Sequence, residues 1–301
     1  MLVQGAFPFP PDKTPTELQS PSLTAQDPER PLHPRSVKLL TAAGIDYPLY
    51  KHQVETIRHA AAGKTVILSA GTGSGKTESF LIPVIDRLFW DHELGLDDIS
   101  RPGIRAMIIY PLNALVNNQV ERILELLRDE ADLTFAFYTS RLKESRTDAE
   151  RQYHNLGRDV PPDCQIIDRK SLRGLSDAGK SRQGPPHILV TNFSMLEYMS
   201  IRPLDHSIFR YIMYDGRPRM RAIVLDEAHV YAGAQAAEIH MLLRRAALRF
   251  GTRLEDIQGY ATSATLGGDD GGETLRNLAA YMFSSPRERV VSVIGHRYLP
   301  P

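Results

Sequence analysis

The chain has 301 residues, enough for one large α/β domain or two small ones, and its 36 lysines and arginines are balanced by 36 aspartates and glutamates. A global basic field is therefore excluded, and any nucleic-acid-binding surface has to be local. The single cysteine, Cys164, excludes a disulfide framework and a cysteine-built zinc or iron–sulfur site.

The first residues, MLVQGAFPFPPDK, lack the basic flank and continuous apolar core of a signal peptide. No run approaches the roughly 18 apolar residues a membrane span requires. The expectation is a soluble protein of a reducing, cytoplasmic compartment with no membrane partner. Residues 1–34 carry eight of the 21 prolines and little apolar periodicity, so they read as an extended arm or linker. Val37, Leu39 and Leu40 then predict a short helix closed near Gly44, and residues 50–62 predict a second, ended by Gly63.

Compact apolar strands separated by helices follow. Strands are expected at 65–70, 104–110, 133–139, 187–191, 222–225 and 258–262, with one more over 289–294. Helices are expected at 76–90, 112–129 and 233–249, the second with Val116, Val120, Ile123, Leu124 and Leu127 on one face. Such alternation predicts an α/β fold, a mostly parallel sheet with helices on both faces. Residues 35–300 are taken as one lobe, interrupted by a charged insertion at about 141–186 that starts with a helix and ends in a loop. Its basic residues (Arg141, Lys143, Arg146, Arg169 among them) are either a solvated face or a contact for a nucleic acid backbone.

The chemistry concentrates at strand ends. Residues 70–77 read Ala-Gly-Thr-Gly-Ser-Gly-Lys-Thr between a strand and a helix, an arrangement that wraps backbone N–H groups around a triphosphate at a positive helix N-terminus. Gly71, Thr72, Gly73, Ser74, Gly75, Lys76, Thr77 and Glu78 form the expected nucleotide-binding set. Lys76 reaches the phosphates as a point charge, and the Thr77 hydroxyl ligates Mg²⁺. Ala70 stands where a first glycine is usual. Asp226-Glu227-Ala228-His229 follows the strand at 222–225. There the first carboxylate holds hydrated Mg²⁺ and the second polarises the attacking water, although two adjacent carboxylates alone are ordinary surface charge.

Upstream, Gln53 has the donor–acceptor amide that reads an adenine edge, and Tyr47 or Tyr50 can cover the base; a polar helix face is the plainer alternative. Ser263-Ala264-Thr265 puts two hydroxyls at a strand end. Two further stretches, from Tyr110-Pro111-Leu112-Asn113 on to Gln119 and from Thr191-Asn192 to Tyr198, set polar residues at helix N-termini. They suit either strand phosphates or simple capping.

In this order the segments resemble the first RecA-like lobe of a superfamily 2 DEAD/DEAH-box helicase, a P-loop NTPase fold. Gln53 matches the adenine-sensing glutamine, 70–77 motif I, 110–119 motif Ia, 191–198 motif Ib, 226–229 the DEAH form of motif II, and 263–265 motif III. The phrases Pro185-Pro186-His187-Ile188-Leu189-Val190-Thr191-Asn192 and Tyr231-Ala232-Gly233-Ala234-Gln235 are similar to large bacterial helicases of the Lhr-like and MrfA-like kinds, some of them in antiphage defence.

The resemblance implies ATP and Mg²⁺ as cofactors and Lys76, Asp226 and Glu227 as the catalytic set. It implies that His229, Ser263 and Thr265 couple nucleotide state to strand grip, and that Pro111, Asn113, Gln119, Thr191 and Asn192 lie along a nucleic acid track. Single-stranded DNA is favoured over RNA, with an RNA helicase lobe and a motionless nucleotide-dependent scaffold as the alternatives. It also implies a second lobe, in cis or in trans, that supplies arginine fingers. Nothing after residue 266 resembles its motifs, so weak activity of this chain alone is expected.

Overall fold

The computed structural model describes residues 9–71, 73–111, 116–130, 132–175, 184–209, 211–231, 233–264 and 271–295. The chain opens with helices α1 (Pro34–Ala42) and α2 (Lys51–Ala61), then alternates β1 (Thr65–Ser69), α3 (Lys76–Glu93), β2 (Ala106–Tyr110), α4 (Val116–Leu127) and β3 (Phe135–Tyr138). The insertion supplies α5 (Arg146–Asn155), β4 (Gln165–Ile166) and α6 (Arg169–Leu172). After it come β5 (Ile188–Asn192), α7 (Phe193–Ile201), the two-residue strands β6 (Met213–Tyr214) and β7 (Arg217–Pro218), and β8 (Ala222–Leu225). Then α8 (Ala234–Arg249), β9 (Gln258–Ser263), α9 (Gly271–Met282) and β10 (Val290–Ile294) complete the described fold.

The main sheet has eight strands in the order β10-β1-β9-β8-β2-β5-β3-β4, every described pair parallel. Alternation along each strand sorts side chains to the two faces. Val66, Leu68, Ile108, Val190 and Val224 join a core with α1–α4, whereas Ile67, Met107, Ile109, Leu189 and Ile223 join a second core with α7–α9. Burial on both faces explains why these strands read as unbroken apolar runs. All seven expected strands are present. The insertion adds a two-residue edge strand, and a hairpin turns at Asp215 and Gly216, both at positive φ (46° and 72°) as a tight turn requires.

Residues 9–33 are mostly extended, with one 3₁₀ turn at Thr16–Leu18, and they are packed rather than detached. Leu18 and Leu32 are fully buried in the first core, Asp12 N–H donates to the Leu49 carbonyl at 2.7 Å, and Trp90 Nε1–H donates to the Pro31 carbonyl at 2.9 Å. His33 N–H and the Ser36 hydroxyl both donate to Asp86 Oδ1 inside α3, at 2.7 and 2.6 Å. Below the sheet's amino edge Arg105 and Arg219 are buried around Asp97, at 2.8 and 2.9 Å. No described helix is long and apolar enough to cross a membrane.

Candidate functional site

Three adjacent strands, β1, β9 and β8, end at one place, and the site is built from the loops that leave them. From β1 the chain passes Ala70 and turns through Gly73 (φ 76°) and Gly75 (φ 68°) into α3, whose first residues are Lys76 and Thr77. Those left-handed positions favour glycine, and Gly75 has a second reason: a Cβ there would stand 2.3 Å from Gln53 Nε2. α2 buttresses this loop. Gln53 accepts from Tyr50 N–H at 2.8 Å and donates to the Gly75 carbonyl at 3.1 Å, while His52 Nε2–H donates to the Ser74 carbonyl at 2.7 Å. The Ser74 hydroxyl is buried without a hydrogen-bond partner among the described residues.

Lys76 reaches across to the end of β8, where its Nζ lies 3.2 Å from Glu227 Oε1. Asp226 is buried beside it, its N–H donating to the Ile109 carbonyl at 3.0 Å. Thr262 of β9 ties the Asp226 carboxylate to the Glu227 backbone. Its hydroxyl donates to Asp226 Oδ1 and accepts from Glu227 N–H at 3.0 Å. Burial raises the Asp226 pKa and the neighbouring Glu227 charge adds to this, against the Thr262 hydroxyl and Lys76, which favour the ionised form. Glu227 itself sits at φ 50°, a conformation rare for a residue with a Cβ, held by these contacts.

His229 Nδ1 accepts from Ala264 N–H at 3.3 Å, joining the loop after β8 to the loop after β9. The same nitrogen is 3.3 Å from Glu227 Oε2, a pair that attracts when the ring is protonated, and Glu227 Oε2 is otherwise buried without a hydrogen-bond partner among the described residues. The Ser263 carbonyl accepts Ala70 N–H at 3.3 Å, so this loop also touches the phosphate loop. Burial raises the pKa of the hydroxyls of Tyr110 and Tyr231, reinforced by the Asp226 charge, and neither has a hydrogen-bond partner among the described residues.

The structure therefore brings together Gln53, Gly75, Lys76, Asp226, Glu227, His229 and Ser263. Other expected residues are used differently. Tyr50 stacks on His52 at 5.6 Å between ring centres, and Glu78 pairs with Arg122 of α4. Thr191 is fully buried with its hydroxyl donating to the Tyr138 carbonyl at 2.9 Å, and Asn192 caps α7 by accepting Met195 N–H at 2.8 Å. Pro111 borders a groove of about 800 Å³ with Phe193, Tyr231 and Arg245. Thr72, Asn113 and Thr265 lie outside the described residues, as does the side chain of Gln119. Thr262 and His52 are the contributors sequence reasoning missed. Their one signal was polarity inside an apolar strand and beside Gln53.

A glycine-rich loop between strand and helix, facing paired carboxylates at the end of a neighbouring parallel strand, defines a P-loop nucleotide hydrolase lobe. Residues 50–271 match the DEAD/DEAH box helicase family, and the chain belongs to it. It is 29% identical to the Druantia protein DruE of Escherichia coli (strain UMEA 4076-1), over 74% of this chain and 16% of that protein. It is 26% identical to an ATP-dependent helicase of Methanocaldococcus jannaschii, over 76% of this chain and 27% of that one. The chain thus spans roughly a sixth to a quarter of these relatives. Among solved structures, the DUF1998 helicase MrfA bound to DNA aligns with TM-score 0.56 at 21% identity, over 87% of this chain and 29% of that one. The DEAD-box helicase Mss116 bound to single-stranded RNA aligns with TM-score 0.60 at 16% identity, over 95% and 46%. These establish the RecA-like fold.

Proposed function

We propose that this chain is the ATP-binding lobe of an ATP-dependent helicase or translocase, with single-stranded DNA as its substrate strand. The observation that carries the reading is the meeting of Lys76, Asp226 and Glu227 at the ends of β1 and β8, with Lys76 Nζ 3.2 Å from Glu227 Oε1. As the triphosphate enters, Lys76 exchanges Glu227 for phosphate oxygens, which frees the carboxylate. Glu227 then takes a proton from water as that water attacks the γ-phosphorus, the bond from that phosphorus to the β–γ bridging oxygen breaks, and ADP leaves carrying the freed negative charge. The residues present fit a Mg²⁺ ion: Asp226 is a buried oxygen donor, Glu227 Oε2 is a buried acceptor without a hydrogen-bond partner among the described residues, and Thr77 lies in the first turn of the adjacent helix. Thr77 and Asp226 would hold it, and it would neutralise phosphate charge when bound.

The hydrogen bond from Ala264 N–H to His229 supports a coupling role for 226–229 and 263–265, since movement of either loop is felt by the other. Lys76 is the cation that favours the ionised Asp226 carboxyl, and among the described residues no arginine forms an ion pair with Asp226 or Glu227. A second lobe that contributes one is worth about 10³–10⁵ in turnover, so residues 1–301 alone hydrolyse ATP slowly. DNA is preferred over RNA on the likeness of residues 185–192 and 231–235 to helicases of the MrfA kind, MrfA being solved bound to DNA, while the fold itself is shared with the RNA-bound Mss116.

The test is Glu227→Gln in the complete protein. DNA-stimulated turnover is expected to fall about 10²–10⁴-fold while nucleotide binding persists. Turnover that survives the substitution removes Glu227 as the base. Fast DNA-stimulated hydrolysis by residues 1–301 alone would contradict the need for a second lobe.

A further inference from the structure

The insertion between β3 and β5 carries a cavity of about 410 Å³ that the ATP site does not use. Three cations line it, Arg141, Lys143 and Arg158, and no carboxylate does. None of the three forms an ion pair among the described residues. Elsewhere on the chain arginines sit against carboxylates: Arg105 and Arg219 with Asp97, Arg173 with Asp205 and Glu144, Arg221 with Asp91. Within the insertion, Arg146 is neutralised by Glu150 and Asp163. Three cations left uncompensated around one concavity are a focus of positive potential.

The walls add a second chemistry. Phe137 of β3 and Tyr153 of α5 present aromatic surface, and Gln165 contributes a carboxamide beside the Tyr153 hydroxyl. The loop that carries Arg141 and Lys143 is fixed before any ligand arrives. Arg169 donates to the Leu142 and Thr139 carbonyls at 3.1 and 3.2 Å, and Arg169 N–H donates to the Lys143 carbonyl at 2.9 Å. Past Tyr153 and Arg158 the cavity opens into a groove of about 780 Å³ that adds Arg128, with Glu121 and Asp159 also on its lining.

Position gives the site a use. β3 lies beside β5, whose carboxyl end bears residues 191–198, and is five strands from β1, about 24 Å at the usual strand spacing. We propose that this cavity is a second anion site, separate from the phosphate loop, which takes a phosphate joined to an aromatic base. The ligand is one nucleotide of a strand lying along the carboxyl edge of the sheet, or a free mononucleotide of the same chemistry. The phosphate lies among Arg141, Lys143 and Arg158, and the base lies on Tyr153 or Phe137. This inference rests on the nucleic acid reading above.

Fluorescein-labelled dT20 is titrated by anisotropy onto the 301-residue chain between 50 and 200 mM NaCl. The comparison is with the triple variant Arg141→Gln, Lys143→Gln, Arg158→Gln. Each cation released from a strand phosphate removes about 0.7 from the salt slope, so the triple variant should lose about 2 from the slope and bind at least tenfold more weakly at low salt. Radiolabelled AMP is measured by equilibrium dialysis, with Lys76→Ala in both chains to silence the phosphate loop. Loss of AMP binding in the triple variant with an unchanged strand slope identifies the free nucleotide as ligand. Unchanged strand slope and unchanged AMP binding overturn the proposal. A wild-type chain that binds no dT20 contradicts the nucleic acid function itself, whereas equal dT20 and AMP binding by both chains contradicts only the cavity. The three side chains are exposed and form no ion pair among the described residues, so equal unfolding midpoints establish that the variants are folded.

Discussion

Replacing Asp86 with asparagine isolates the electrostatic cost of anchoring the N-terminal segment. Asp86 is 3% exposed and accepts hydrogen bonds from His33 N–H, the Ser36 hydroxyl and Gln26 Nε2, the last at 3.3 Å. Burial pushes its pKa from 3.8 up to about 7, although the Ser36 and His33 donors and the Arg87 charge favour the ionised form. In the unfolded chain the carboxyl ionises near pH 4, so between about pH 4 and pH 7 the folded protein holds a proton that the unfolded chain has lost. Stability therefore falls as pH rises through that window, and the loss is complete above it. A shift of about three pH units at about 1.4 kcal/mol each amounts to about 4 kcal/mol.

Asparagine resembles the neutral acid and has nothing to titrate. At pH 4 the two proteins should agree within about 1 kcal/mol, and by pH 8 the variant should be more stable by up to about 4 kcal/mol. Urea unfolding followed by fluorescence reports this directly, because the protein has one tryptophan, Trp90, and it is bonded to Pro31 in the anchored segment. His33, whose pKa burial lowers, titrates in both proteins and cancels in the difference. A difference in stability that stays constant from pH 4 to pH 8, or that grows in favour of the wild type, would refute the reasoning.

Two further substitutions probe the nucleotide site. Thr262→Val removes the hydroxyl shared by Asp226 and Glu227, so stability should drop by about 2–4 kcal/mol in urea. Because that hydroxyl is the largest influence lowering the Asp226 pKa, the acidic limb of any turnover profile should also move to higher pH; a variant unchanged in both measurements sinks this account. Gly75→Ala puts a Cβ at φ 68° and 2.3 Å from Gln53 Nε2, which should cost about 1–2 kcal/mol of backbone strain plus about 1 kcal/mol for the displaced hydrogen bond. Adding Gln53→Ala should recover the contact part, so strictly additive losses in the double variant would show that the two residues do not press on each other.

The legible parts of this chain were those where one local signal had one physical cause. β1, β2, β5 and β8 are buried on both faces, so their residues had to be apolar throughout, and such runs stand out. The glycine-rich loop was equally plain, because its spacing serves a ligand rather than the core. The two-residue strands were not read. β4 is too short to show a period, and the Asp215-Gly216 turn went unnoticed between strands of that length. Packing of residues 9–33 was invisible for a different reason. Their prolines cut helix and ladder down to one 3₁₀ turn at Thr16–Leu18 and single bridges such as Gln19 with Leu32, yet carbonyls such as that of Pro31 still accept, and Leu18 and Leu32 are single anchors without a repeat. Thr262 was hidden by its neighbours: only the register that sets Leu225 opposite Ala261 shows that the next residue on β9 faces Asp226.

Strand order has a consequence for synthesis. The sheet partners of β1 are β9 and β10, met through Val66 with Tyr260 and Thr65 with Val290, separations of 194 and 225 residues. While the ribosome makes the intervening chain, the apolar strand that feeds the phosphate loop has neither neighbour. Closing loops of that length makes its pairing a late, slow event. Nucleotide thus cannot template the early stages of folding. Until nearly all of these residues have emerged, 65–69 is an apolar strand without its sheet neighbours, and surface of that kind makes a nascent chain prone to aggregate.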